Sequence, residues 1–341
     1  MQRIGDYDIL NKIAEGGMAE VFLAKSSLSL SIDKYFAIKC LLPKFSSNSK
    51  FIELFTNEAR VQVNMNHGNV ASIFDFGVKG GRFYIAMEHI NGINARLLLR
   101  SPEVELSEAE IVYLIRESAR GLDHAHNCKN LKTGERLNII HGDISPENIM
   151  VTTDGEVKVI DFGVAKKVDV SDGLKAGKKR YMSHAQAQGL PLTARADVYS
   201  LSRSFLEYFR DLYGIEEPLS FDDHQQDFED IKEKLPKELL AILLKGLGYG
   251  GESYQEMKQF SKDLTRYLNL TYPDFDKLDL GDKVTKFSGS HFVDIAQSVA
   301  AYTSATSVDD RTMLATSPKD RKKLTSRSRR RRFVTKGKKA S

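Results

Sequence analysis

The run His141-Gly142-Asp143-Ile144-Ser145-Pro146-Glu147-Asn148, then Ile149-Met150-Val151, then Val157-Lys158-Val159-Ile160, closed by Asp161-Phe162-Gly163, decides the reading of this chain. The two apolar pieces flank Thr153-Asp154-Gly155. β-Branched runs on either side of Asp-Gly predict a hairpin. Folding that hairpin returns Asp161 to the neighbourhood of Asn148. An acid, an amide and a second acid then face one pocket, the oxygen chemistry that Mg²⁺ takes when it also holds phosphate. Asp143 is left to orient a hydroxyl. Taken alone, His-Gly-Asp would fit an ordinary hairpin with solvated acids; the spacing of Asp143, Asn148 and Asp161 argues for more.

The stretch resembles the catalytic and metal-binding loops of eukaryotic-type protein kinases, which read H-R-D-x-x-x-x-N and D-F-G. The resemblance covers residues 7–268 and is closest to the bacterial Ser/Thr kinases of this type. It implies an α+β, two-lobed fold: a small, mainly β lobe over residues 1–88 and a larger, mainly α lobe over 89–272. Residues 273–302 are expected to form a partly helical extension, with a helix over His291–Tyr302. Residues 303–341 are too rich in Ser, Thr, Lys and Arg to bury a core, which predicts a disordered basic tail.

Composition bounds the rest. With 341 residues, 41% hydrophobic and 28% charged, the chain is long enough for such a core. The two cysteines, Cys40 and Cys128, match no zinc or disulfide framework, and this usage fits a reducing cytoplasm. No apolar run approaches the roughly 20 residues that span a bilayer, and Met1–Asp6 has no signal-peptide core. Residues 319–339 carry twelve Lys/Arg against one acid, a net of +11; the whole chain is +4, so the remainder is −7. Such a tail suits an anionic partner, whether acidic protein, nucleic acid or lipid surface. Its hydroxyls at Thr325, Ser326, Ser328 and Thr335 are candidates for self-phosphorylation, which would cancel charge.

Upstream, Tyr7–Leu10, Ile13–Ala24 and Tyr35–Lys39 read as strands, with Gly16-Gly17 between two of them. Lacking Cβ atoms, that pair lets backbone N–H groups approach a phosphate. Ala14 and Ala19 replace the first and third glycines of the kinase loop, so Gly16 alone keeps the triplet spacing. The resemblance makes Lys39 the lysine of the α- and β-phosphates and Glu58, in a helix over 50–65, its partner. Gln62 stands where the family packs an apolar residue, which implies a less firmly seated helix. Strands around Gly80-Gly81 lead to Met87, at the back of the adenine pocket, with backbone groups of Glu88 and Ile90 at the adenine edge. Ile13, Gly16, Gly17, Val21, Ala37 and Met150 complete the implied nucleotide site.

Ser107 with Glu110 makes a capping box, and Ile111, Leu114, Ile115, Ala119, Leu122 and Ala125 follow at helical spacing. Later, Asp197 matches the aspartate that accepts from the catalytic-loop backbone. Residues 235–268 read as two closing helices.

The resemblance thus implies phosphoryl transfer from ATP to a protein hydroxyl, with Asn148 and Asp161 holding Mg²⁺ (Mn²⁺ being the alternative) and Asp143 taking the hydroxyl proton. Gly142 replaces the arginine that reads a phosphorylated loop, so activity is expected not to depend on that contact. Ser145 replaces a lysine that touches the γ-phosphate. Lys178 is then the candidate catalytic cation that restores the missing charge. His184 and Ala185 replace Pro-Glu at the end of the loop, and Ser253 replaces the arginine that pairs with that glutamate. Both halves of a buried ion pair are gone together, which is nearly neutral where losing one half is not. These departures keep two other readings in play: a pseudokinase serving as a nucleotide-binding scaffold, and a small-molecule phosphotransferase of related fold.

Overall fold

The computed structural model describes residues 3–27, 34–101, 103–130, 132–162, 179–215, 219–220 and 224–291. Lys178, residues 292–302 and the basic tail lie outside them.

The first half of the chain is an antiparallel sheet. Its strands are β1 (Arg3–Ile4), β2 (Tyr7–Glu15), β3 (Ala19–Ser26), β4 (Tyr35–Leu41), β5 (Ile73–Lys79) and β6 (Arg82–Glu88), in the order β1-β2-β3-β4-β6-β5. Alternation along β4 buries Phe36, Ile38 and Cys40 and sends Lys39 to the opposite face. That face is covered by helix α1 (Ser49–Gln62). Asn48 starts α1 by accepting the Lys50 N–H at 3.0 Å. Phe55 and Ala59, one turn apart, bury against Leu41, Ile73 and Ile85. Burial of Phe55 alone contributes about 2–3 kcal/mol.

The second half is helical: α2 (Ala95–Arg100), α3 (Glu108–Asn127), α4 (His184–Ala187), α5 (Ala194–Leu212), α6 (His224–Lys232), α7 (Lys237–Leu247), α8 (Met257–Thr271) and α9 (Lys277–His291). The capping box forms as the sequence implies, with Ser107 and Glu110 exchanging side-chain and backbone bonds. Helix α3 is the central post, buried along most of its length and packed on α5 and α8. A small sheet, β7 (Gly92–Asn94), β8 (Ile149–Thr152) and β9 (Val157–Val159), carries the decisive hairpin. Ile149 pairs with Val159, and the Ile160 N–H donates to the Asn148 carbonyl at 3.0 Å, so the hairpin brings Asn148 beside Asp161. Among the described residues no helix is long and apolar enough to cross a membrane.

Two helices are not evident in the sequence. Helix α6 lies in a short acidic stretch, and α9 begins where the apolar pattern weakens. Helix α9 buries Leu280 and Val284 completely. It is tied down by ion pairs of Lys277 with Glu156 and of Lys283 with Glu110. Gly155 has φ +73°, and a Cβ there would collide with the Lys277 carbonyl. Gly155→Ala should therefore cost about 1–3 kcal/mol. Urea denaturation checks this, and an unchanged midpoint would mean that α9 does not press on the hairpin turn.

Candidate active site

Three elements bring the charged residues together. Lys39 from β4 reaches Glu58 of α1, with Nζ 2.6 Å from Oε1, and Asp161 after β9, with Nζ 2.8 Å from Oδ1. Lys39 and Glu58 are 13% and 6% exposed, whereas Asp161 is 46% exposed and open to a ligand. Burial pushes the Lys39 pKa down, but the charges of Asp161 and Glu58 outweigh it and raise the ammonium above its ordinary value. Lys39 therefore stays cationic. The expectation of a loosely seated α1 is corrected here. Gln62 is buried and its Nε2 donates to the Ala71 carbonyl at 2.8 Å. A hydrogen bond to the loop after α1 takes the place of apolar packing.

Asp161 has φ +54°, a left-handed conformation that a non-glycine residue rarely adopts. This turn aims the carboxylate at Lys39 while the next side chain, Phe162, is fully buried with its ring 4.7 Å from that of His141. His141 braces both strands of the site. Its Nε2 donates to the Ile160 carbonyl at 3.0 Å, and its Nδ1 accepts the Asp143 N–H at 3.2 Å; those partners assign the tautomer. Asn148 closes the loop by donating from Nδ2 to the Asp143 carbonyl at 2.7 Å and to Asp143 Oδ2 at 3.2 Å. With its nitrogen used this way, Oδ1 is the Asn148 atom suited to a cation.

The backbone here is held from behind by Asp197 of α5, which is fully buried. It accepts the His141 N–H, the Gly142 N–H and His126 Nε2, each at 2.8 Å. Gly142 has φ +68°, a value that glycine takes without strain. Its carbonyl accepts from Gln186 Nε2 at 2.5 Å. Ser145 is 1% exposed and its Oγ has no partner among the described residues, so that position offers neither charge nor an aligned donor.

The implied adenine site lies on the sheet and the hairpin. Ala37 pairs with Met87 across β4 and β6, Val21 pairs with Lys39 across β3 and β4, and Met150 lies on β8. Ile13, Val21, Met87, Ile90 and Met150 are all half-buried. Glu88 spans the two lobes, its N–H going to the Ser72 carbonyl at 2.9 Å and its carboxylate to Lys158 Nζ at 2.9 Å. The glycine turn is closed by Gly16 N–H to the Ala19 carbonyl at 2.7 Å. A Cβ at Gly17 would meet nothing, so the fold itself does not require glycine there, and the open backbone suits a phosphate.

A second cluster beside this site was not anticipated from the sequence. Arg96, 2% exposed at the start of α2, binds Glu207 through Nη1 at 2.8 Å, Glu147 through Nε at 3.1 Å, and the Tyr181 hydroxyl. It thereby joins the catalytic loop to the segment leading into α4. Arg203, fully buried, donates to the Arg180 carbonyl at 3.1 Å and to Asp227 at 2.8 Å. A buried ion pair thus anchors this segment although Ala185 and Ser253 cannot supply one.

Among known proteins, a family model described as the protein kinase domain matches residues 7–271. The tyrosine-protein kinase MasK of Myxococcus xanthus is 34% identical over 284 residues, covering 79% of this chain and 44% of its own length. The serine/threonine-protein kinase pkn3 of the same organism is 35% identical over 208 residues, covering 57% and 36%. The serine/threonine-protein kinase PknA of Mycobacterium tuberculosis is 34% identical over 208 residues, covering 58% and 45%. The chain thus spans less than half the length of these curated relatives. The kinase domain of M. tuberculosis PknI superposes with a TM-score of 0.55 at 20% identity, covering 78% of this chain and 97% of that one, which establishes the likeness of fold.

Proposed function

The chain belongs to the protein kinase family, and from that premise we propose that it transfers the γ-phosphate of ATP to serine or threonine hydroxyls of proteins. The observation that carries this reading is the Lys39–Glu58–Asp161 triad standing beside an Asp143–Asn148 pair. Lys39, held by Glu58, is assigned to the α- and β-phosphates. Asp161 and the Asn148 Oδ1 are assigned to the divalent cation. Among the described residues no three His, Cys, Asp or Glu side chains converge on one point. Two oxygen donors in place of a closed cage suit Mg²⁺, whose other positions go to phosphate and water; Mn²⁺ accepts the same set. When bound, ATP with its cation supplies the phosphoryl group and neutralises its charge. Asp143 orients the acceptor hydroxyl and takes its proton; positioning and fixed charge do the rest. Lys178, outside the described residues, remains our candidate for the cation that Ser145 lacks.

Named relatives include both serine/threonine and tyrosine kinases, so phosphoamino-acid analysis is the direct test. Purified protein with radiolabelled Mg-ATP, generic protein substrates and small alcohols should yield phosphoserine and phosphothreonine. Label on alcohols alone would overturn the protein-kinase reading, and no label would favour the scaffold reading. A cytoplasmic location rests on the two buried, unpaired cysteines, Cys40 and Cys128. An anionic partner for the tail rests on its charge alone.

A further inference from the structure

Behind the lobe junction, away from Lys39 and Asp143, lies a cleft of about 890 Å³. Its walls are the loop after α1 (Asn64, Asn66, His67), the last turns of α3, and the exposed face of α8. Lys129, Lys258 and Lys262 face it, together with Arg120 and Arg266, and Asp123 is the acid on its wall. Outside the tail segment 319–339 the chain carries a net −7, so this concentration of cations runs against the balance of the protein.

The cations are not engaged in holding the fold. Among the described residues no carboxylate pairs with Lys129, Lys258 or Lys262. Arg120 reaches Glu117 at 3.3 Å but is 54% exposed, and Arg266 reaches Asp263 at 3.2 Å while 71% exposed. Exposed pairs of this kind contribute little and exchange readily. Asp123 already accepts the Asn127 amide at 3.0 Å. His67 and His124 stack at 5.0 Å on the wall, and the His124 Nε2 is buried without a hydrogen-bond partner. Burial lowers the pKa of both imidazoles, so the positive charge of the cleft comes from its lysines and arginines.

We propose that this cleft docks a phosphorylated peptide segment. A phosphate brings dense negative charge and three acceptor oxygens, which call for converging ammonium, guanidinium and amide donors in a concave site. Single-stranded nucleic acid fits less well, because the lining offers no tyrosine, phenylalanine or tryptophan face on which bases stack. The cleft also adjoins the segment that follows α1. Its α1-side loop follows the helix that carries Glu58, and the Cys128 Sγ lies 3.4 Å from the Asn64 carbonyl, linking that loop to α3. Occupancy would tie the loop to α8.

The proposal is tested by fluorescence anisotropy with a labelled peptide rich in glutamate and phosphoserine. Residues 319–339 would attract the same probe, so every chain measured carries Arg329→Ser, Arg330→Ser, Arg331→Ser and Arg332→Ser. Binding is expected to weaken with salt and to fall about tenfold for the same peptide without phosphate. Lys258→Glu with Lys262→Glu, both exposed, should weaken it about tenfold or more, whereas Lys79→Glu on β5 should not. Phosphorylation of a generic, unphosphorylated substrate should be unchanged in the double variant, separating docking from turnover; the binding arms decide the matter whether or not the chain proves active. Equal binding by the double variant, equal binding of the unphosphorylated peptide, or tighter binding of an oligothymidylate would overturn the proposal, the last in favour of a nucleic-acid site.

Discussion

Asp143→Asn is expected to lower kcat for phosphate transfer about 10²–10⁴-fold, the usual contribution of a positioned general base, while leaving ATP binding nearly intact. The substitution keeps the shape of the side chain, and an amide oxygen can still accept from Asn148 Nδ2, which now lies 3.2 Å from Asp143 Oδ2. The Lys39–Glu58–Asp161 triad is untouched. The acceptor for the hydroxyl proton is what disappears. Single-turnover kinetics with Mg-ATP, paired with nucleotide titration, separates the two effects. A variant with unchanged turnover would remove Asp143 from the mechanism. One that lost nucleotide affinity to the same degree as turnover would make it a structural residue.

Asp197→Ala should be the most damaging single change to stability, at about 3–5 kcal/mol. It would leave the His141 and Gly142 N–H groups and His126 Nε2 without their shared acceptor in a fully buried place. Burial pushes the Asp197 pKa up, but the hydrogen bond and charge of His126, with the Gly142 N–H, outweigh it and hold the carboxyl below its ordinary 3.8. A group with a depressed folded pKa contributes stability above its unfolded value and loses it as the pH falls through the folded one. The part of the difference between variant and wild type that comes from the Asp197 carboxyl should therefore be fully present above 3.8 and narrow below it. Urea midpoints across an acid series give the measurement. A gap of the same size throughout would mean that Asp197 does not act as a carboxylate.

The residues legible in advance are those whose spacing is fixed by local geometry. Asp143 and Asn148 lie on one loop, and Asp161 is returned to them by a hairpin whose turn sequence announces itself. Lys39 and Glu58 are placed by resemblance, and the structure brings them within 2.6 Å. What stayed hidden depends on distant packing. Gln62 looks like a defect in an apolar stripe until the Ala71 carbonyl is seen beside it. Arg96 is an unremarkable basic residue at a helix start. Its partners Glu147, Tyr181 and Glu207 are brought to it by three separate elements, and no periodicity encodes that. Helix α9 shows a weak apolar pattern because Leu280 and Val284 are its fully buried anchors.

That last helix bears on the order in which the molecule can assemble. The kinase-domain match ends at residue 271, yet Leu280 and Val284 belong to the main core, and Lys283 reaches back to Glu110 across the span from one end of α3 to nearly the end of the described chain. Such a contact closes a very long loop, and it forms late, because the entropy of closure is lost before the contact gives anything back. During synthesis the sheet formed by residues 3–88 emerges with its strand partners already made. The helical half, by contrast, holds an uncovered hairpin turn, and Glu110 has its Ser107 cap but not its Lys283 ion pair, until the region around residue 284 has left the ribosome. Completion of this lobe is therefore late relative to the sheet, and its vulnerable interval falls between the appearance of α3 and the arrival of α9.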